Sequence, residues 1–177
     1  MNEKNSRQVL YIAASLDGYI ATNDDSLDWL FEVEGDGDNG YGEFIKDIDC
    51  VILGRRTYDW IIEKEKDNFP YKKEKCYVFT NRKEQLKYAE VVNDDLKTFI
   101  NKTRNEYKNI WIVGGGEIIK QYLELDEIDE FRITIAPVIL GKGIRLFHEI
   151  NKKIKLELVK VNKSNQFAEL IYVRKKS

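Results

Sequence analysis

The sequence predicts an α/β fold: a mixed, mostly parallel central sheet with helices on both faces and antiparallel strands at the C-terminal end. Three observations predict it. Short, uniformly apolar runs alternate with amphipathic stretches as far as Asp126, the pattern of strands covered on both faces. Beyond Asp126 the segments lengthen and alternate in polarity, as antiparallel strands do. A length of 177 residues with 42% hydrophobic side chains suits one domain, 1–177, with a buried core.

The elements follow in order. Val9–Ala14 is an apolar run and the first strand. Leu27–Val33 and Tyr41–Ile48 read as helices, Cys50–Leu53 as a strand and Thr57–Lys64 as a helix. Two further short runs, Lys75–Thr80 and Ala89–Val92, are strands. The helix Asp94–Tyr107 has Asn93 as its expected N-cap and sets Leu96, Phe99, Ile100 and Thr103 on one face. Ile110–Val113 is a strand and Glu117–Leu125 an amphipathic helix. Glu130–Leu140, Lys155–Val161 and Phe167–Val173 are the alternating strands, and Arg174–Ser177 is expected to be a solvated tail.

Composition excludes several classes of function. With 29 basic against 31 acidic residues the net charge is −2, and no basic stripe is present for nucleic acid. No run approaches the ~18 apolar residues that cross a bilayer. The N-terminus is polar and then only briefly apolar, unlike a secretory leader, so a cytoplasmic protein is expected. Cys50 and Cys76 lie in apolar runs without CxxC spacing and read as buried thiols of a reducing compartment. His148 is the only histidine, has no Cys/His cluster around it, and is expected at the surface. No metal is expected.

The glycine loops separate into one misleading case and two informative ones. Gly35-Asp36-Gly37-Asp38-Asn39-Gly40 satisfies GxGxxG, but a helix-like segment precedes it and its aspartates would repel phosphate. It reads as a mobile acidic loop, with a lid beside a substrate site as the alternative. Gly114-Gly115-Gly116 instead joins a strand to a helix. There the bare backbone and free N–H groups can approach an anion. Gly54-Arg55-Arg56-Thr57-Tyr58 repeats that logic with two arginines, and Thr80-Asn81-Arg82 ends a third strand. All three junctions fall at carboxyl ends of strands, where parallel sheets bind ligands. Together they point to a ligand with several phosphates, such as a dinucleotide.

The order and spacing of Ile12-Ala13-Ala14, Leu53–Tyr58, Thr80–Arg82 and Ile112–Gly116 resemble the dihydrofolate reductase superfamily. Ser15-Leu16-Asp17-Gly18-Tyr19-Ile20-Ala21 and Ala136-Pro137-Val138-Ile139-Leu140-Gly141-Lys142-Gly143 resemble, more narrowly, the C-terminal reductase domain of the bacterial bifunctional riboflavin-biosynthesis deaminase/reductase. That resemblance covers about Val9 to Val173 and implies a dihydrofolate-reductase-like sheet. It also implies NADPH as cofactor and hydride transfer to a small C=O or C=N substrate. The implied activity is that of 5-amino-6-(5-phosphoribosylamino)uracil reductase. The alternatives are a dihydrofolate reductase or a non-catalytic nucleotide-binding relative.

Carried over by position, Ala13 and Ala14 would present backbone to the nicotinamide, while Gly54, Arg56, Thr57 and Gly114–Gly116 would hold the pyrophosphate. Arg55, Asn81 and Arg82, preceded by Thr80, would face a ribose 2′-phosphate. Glu117 departs from the basic residue of some folate reductases. The resemblance further implies a cis peptide between Gly114 and Gly115, and a homodimer formed through the C-terminal strands.

On the substrate side, aligning Trp29 with the tryptophan of the folate reductases puts Ser26 where their carboxylate stands. Asp25 or Asp28 would need a local shift to replace it. Ser26, Asp28 and Trp29 are therefore the substrate-side candidates, with helix packing the competing role for Trp29. Arg104 stays open as an arginine for a substrate tail. Asp17 is the candidate proton donor, because Gly18 frees the loop beside the first strand; ordinary Asp-Gly turn chemistry is its competing role.

Overall fold

β1 (Arg7–Ser15) is the centre of an eight-stranded sheet, pairing in parallel with a later strand on each side. The computed structural model describes residues 6–175. Residues 1–5, and Lys176 and Ser177 of the expected solvated tail, lie outside the described residues. After β1 come β2 (Tyr19–Ala21), α1 (Asp28–Phe31), α2 (Tyr41–Ile45), β3 (Cys50–Gly54) and α3 (Arg55–Glu65). The chain continues through β4 (Lys75–Phe79), β5 (Glu90–Val92), α4 (Leu96–Glu106), β6 (Asn109–Gly114) and α5 (Gly116–Glu124). It closes with β7 (Glu130–Ala136), β8 (Ile144–Arg145), β9 (Leu156–Ser164) and β10 (Phe167–Arg174).

The strand order is β5-β4-β3-β6-β1-β7-β10-β9. All neighbours are parallel up to β7, whereas β10 and β9 run antiparallel. The strands are apolar on both sides because both sides are covered. Leu10, Ile52 and Ile112 pack under α4 and α5, against Phe99, Ile100, Ile119 and Tyr122. Val9, Val51 and Trp111 face the other way, onto Phe44 of α2 and Tyr58 and Ile61 of α3. Each fully buried aliphatic or aromatic side chain contributes roughly 1.5–3 kcal/mol, so these two layers hold the sheet between its helices.

The pleat also separates the cysteines. Cys50 belongs to the α4/α5 layer and Cys76 to the α2/α3 layer, both free and buried. Burial pushes the Cys76 thiol up to about 12, and that of Cys50 further. Neither can be a thiolate at neutral pH, as the expectation of inert buried thiols requires.

Several boundaries differ from expectation. The strand foreseen over Glu130–Leu140 stops at Ala136, because Pro137 has no N–H for the ladder. α4 is capped by Asp95, which accepts from the Thr98 N–H at 3.0 Å, and not by Asn93. β2 and β8 form a small antiparallel pair of their own, too short for any periodicity to announce.

The Gly35–Gly40 loop, read as a mobile acidic loop or a lid, is tied down by hydrogen bonds. Asp38 accepts from the N–H groups of Gly40 and Gly42, while Asp36 accepts from Asn165 N at 2.8 Å. Ser164 donates to Asn39 at 2.6 Å, which pins the loop to the β9–β10 turn.

Arg104 is not a substrate arginine. Its guanidinium, only 6% exposed, donates to Ser6 O at 2.9 Å and Glu127 Oε2 at 2.8 Å and pairs with Asp129 at 2.9 Å. It clamps the amino end of β1 to the α5–β7 corner, at the edge of the sheet opposite the carboxyl ends.

Candidate functional site

A cleft of about 570 Å³ opens over the carboxyl ends of β1, β3 and β6. Its floor is bare backbone. A Cβ built on Gly54 would lie 3.5 Å from Gly114 O and Gly115 N, so the ends of β3 and β6 meet with no side chain between them. The β3–β6 register slips between Ile52 and Leu53, leaving Val113 as an extra residue before the glycines, and the Gly114–Gly115 peptide is cis. Gly114 has φ +129°, a conformation open to glycine.

Two helices begin at this floor, α3 after Gly54 and α5 after Gly115, and neither has a side-chain N-cap. α4, which does not line the cleft, is capped by Asp95. The first-turn N–H groups of α3 and α5 are therefore left for whatever enters the cleft, with the positive ends of both helix dipoles behind them. Gly116 must be small, since a Cβ there would stand 2.5 Å from His148 Nε2 and 2.8 Å from Arg145 O.

The opposite wall is apolar, from Ile12, Ala13, Ile20, Leu27, Leu30, Trp60, Phe79 and Ile144. Charge is concentrated at the rim. Arg56 makes a two-oxygen contact with Asp25, at 2.6 and 2.8 Å, across the mouth of the cleft. Arg55 donates to Asp59 at 2.7 Å and to Glu84. The cleft therefore joins an apolar wall to a floor where two helices begin without side-chain caps.

Residues 9–167 match the family model described as the RibD C-terminal domain. The chain belongs to the RibD C-terminal domain family. Two relatives in Bacillus subtilis (strain 168) share almost the whole RibD-type chain. The uncharacterized protein YwjB is 45% identical over 95% of this chain and 98% of its own. The uncharacterized protein YyaP is 32% identical over 97% and 96%. Among solved structures, a putative riboflavin biosynthesis protein from Shewanella sp. PV-4 superposes with TM-score 0.89 at 28% identity, covering 96% of this chain and 99% of its own. The bifunctional deaminase/reductase of Thermotoga maritima gives TM-score 0.72 at 16% identity, and RibD of Acinetobacter baumannii gives 0.74 at 17%. The RibD-type chain covers 96% and 99% of itself but only 56% and 59% of those two longer proteins, a likeness of fold alone.

Within this RibD-type cleft the structure brings together Ala13, Gly54, Arg55, Arg56, Thr57 and Gly114–Gly116. Ala14 is fully buried in the α4/α5 layer. Thr80, Asn81 and Arg82 follow β4 at the same edge of the sheet but do not line the cleft. Nor do Ser26, Asp28 and Trp29. Ser26 Oγ accepts from the Asp28 N–H at 3.2 Å, Asp28 is exposed, and Trp29 packs with Ala136 and Phe167. Two further residues stand in the cleft, Asp25, expected there only with a local shift, and His148, which was not foreseen. Asp25 reaches it through a left-handed turn (φ +63°), and His148, expected at the surface, stands beside Gly116 with Nδ1 3.6 Å from Glu117. Nothing in the local sequence around His148 signalled this, because β8 folds it back over α5.

Asp17 lies outside the cleft lining and holds a turn. It accepts from Ser15 Oγ at 2.7 Å, Gly141 N at 2.7 Å and Leu140 N at 3.0 Å. Partial removal from water pushes its carboxyl up. The bonds from Ser15, Gly141 and Leu140 outweigh this and hold it below the usual value of 3.8. A carboxyl held ionised by three donors accepts rather than delivers a proton. Since the folded value is the lower one, the carboxylate's contribution to stability is present above pH 3.8 and lost as pH falls through the folded value. Asp17→Asn is therefore expected to melt below wild type at pH 6–7, with the gap closing under roughly pH 4. Thermal melts at both pH values check this; a gap unchanged in acid contradicts it.

Proposed function

We propose that this RibD-family chain is an NADPH-dependent reductase acting on a small C=O or C=N substrate, of the kind named for the Thermotoga maritima protein as 5-amino-6-(5-phosphoribosylamino)uracil. One observation carries the reading: two uncapped helix starts converge on a glycine floor beside an apolar slot. A dinucleotide has that same division, with charged phosphates in the middle and a flat ring at the end. When bound, it supplies the hydride.

The residues divide the remaining work. Backbone N–H groups at Gly54–Thr57 and Gly114–Gly116 hold the pyrophosphate, and the small Ala13 leaves room for the ring. Arg55 and Arg82 meet a ribose 2′-phosphate, with Thr80 and Asn81 shaping their loop. Leu27, Leu30 and Trp60 shield the reacting face from water. Asp17 keeps the β1–β2 turn in place, so we assign the proton of the reduced centre to ordered water or to His148 and not to Asp17. Dihydrofolate reduction is disfavoured, because the one carboxylate near the expected position that lines the cleft, Asp25, is engaged by Arg56.

The test mixes the protein with NADPH and, in turn, ribosylaminopyrimidines, dihydrofolate and simple imines. Binding with turnover of a ribosylamino compound is expected. Binding without any turnover supports the non-catalytic alternative, and absence of NADPH binding refutes the reading.

No helix among the described residues is long and apolar enough to cross a membrane. A cytoplasmic reductase fits the two free buried thiols. We also infer a homodimer through β9, an edge strand whose Leu158, Val159 and Val161 are 52%, 59% and 56% exposed. Light scattering at micromolar concentration should give twice the chain mass of 20.8 kDa; a single-chain mass contradicts it.

A further inference from the structure

We propose that Glu84 sets the cofactor specificity of this cleft by competing with a ribose 2′-phosphate for the Arg55 guanidinium. The inference rests on the dinucleotide reading and goes beyond it, because it makes the preference for NADPH over NADH weak in the natural protein and adjustable at one residue.

Arg55 opens α3 at the cleft rim, and its side chain is only 20% exposed. Its Nε donates to Asp59, one helical turn on, and its Nη1 donates to Glu84, which arrives from the loop after β4. One cation thus carries two carboxylates. Among the described residues no other cation pairs with Asp59 or Glu84, so the group holds a surplus negative charge. The carboxylates engage Nε and one N–H of Nη1, so both N–H groups of Nη2 and the second of Nη1 are not used by them. A dianionic phosphate entering there meets two carboxylates beside its one cation and must displace Glu84 or bear the repulsion. A ribose 2′-hydroxyl meets no such cost, since it can donate to a Glu84 oxygen while accepting from Arg55. Asp59 is fixed by its helix, but Glu84 lies on a loop and is free to yield. Arg82, two residues before Glu84, makes no side-chain ion pair among the described residues, and neither does its neighbour Lys83.

Glu84→Gln removes the charge and keeps the shape and one acceptor for Arg55. Titration of the full-length protein with NADPH and NADH is expected to place the two within about tenfold in wild type. In Glu84→Gln, NADPH is expected to tighten about three- to tenfold with NADH unchanged or slightly weaker. Asp59→Asn should shift NADPH in the same direction. Thermal melts check folding; both changes are at the surface and should leave the melting temperature near wild type. NADPH affinity unchanged or reduced in a folded Glu84→Gln would overturn the proposal, showing that Glu84 positions Arg55 for phosphate. Adenosine 2′,5′-bisphosphate, against adenosine 5′-monophosphate, separates the two layers of argument. If neither dinucleotide binds but the bisphosphate gains in Glu84→Gln, the competition stands and the dinucleotide reading falls. If neither dinucleotide binds and the bisphosphate gains nothing, both fall.

Discussion

Replacing Arg104 with alanine is expected to destabilise the protein by about 2–4 kcal/mol, the largest effect of any single change considered. The guanidinium is nearly buried and serves Ser6 O, Glu127 and Asp129 together. Alanine removes the cation that Glu127 and Asp129 share and takes the Arg104 donor away from the Ser6 carbonyl. Asp129 also receives the Gln8 N–H at 2.8 Å, so the loss spreads into the first residues of β1. For a chain of this size the melting temperature should fall by roughly 5–15 °C. Arg104→Lys, which keeps the charge but loses the fork, should fall between. Because the clamp is at the opposite edge of the sheet from the cleft, cofactor affinity measured well below the melting temperature should stay near wild type. A drop of less than about 1 kcal/mol would show the network to be a surface ion pair in its energetics.

Arg82→Ala is expected to weaken NADPH about ten- to a hundredfold and leave NADH nearly unchanged. A charge-assisted bond to phosphate contributes about 1.5–3 kcal/mol, and each 1.4 kcal/mol is a factor of ten. Arg82 is the better bearer of that effect because its side chain is exposed and has no carboxylate partner among the described residues, whereas Arg55 has two. Direct titration with both cofactors decides it. Equal losses for the two would take Arg82 away from the 2′-phosphate.

What could be read from the sequence was what is local along the chain. Ile110–Val113 leading through three glycines into Glu117–Leu125, and Cys50–Leu53 leading through Gly54-Arg55-Arg56 into a helix, are strand-turn-helix units whose chemistry is contiguous. Their place on the cleft followed from the parallel sheet. What could not be read depended on distant partners. Asp17 sits in an Asp-Gly turn, but the amide of Leu140 that fixes its role lies 123 residues away. Arg104 looked available because Ser6, Glu127 and Asp129 converge on it only in the folded chain. Glu84 on Arg55 and Asp25 on Arg56 were invisible for the same reason, since charge in a sequence gives no hint of a partner about thirty residues away, whereas Asp59 on Arg55 is an ordinary i,i+4 helix pair. Asn93 and Asp95 are both good caps, and only the point where the helix begins distinguishes them.

The central place of β1 has a consequence for the chain as it is made. Arg7 pairs with Asn109, and Val9 with both Trp111 and Glu130, so neither neighbour of β1 exists until more than half the chain has left the ribosome. At about 5–20 residues per second, the first strand waits roughly 5–20 s with both edges unpaired. During that wait Val9-Leu10-Tyr11-Ile12 is a β-prone apolar segment with no sheet to join, the state in which nascent chains self-associate or engage chaperones. The same order of events means that the cleft floor, which needs Gly54 and Gly114 side by side, cannot form until β6 has followed β3 by about sixty residues, yet can form before β7, β9 and β10 exist.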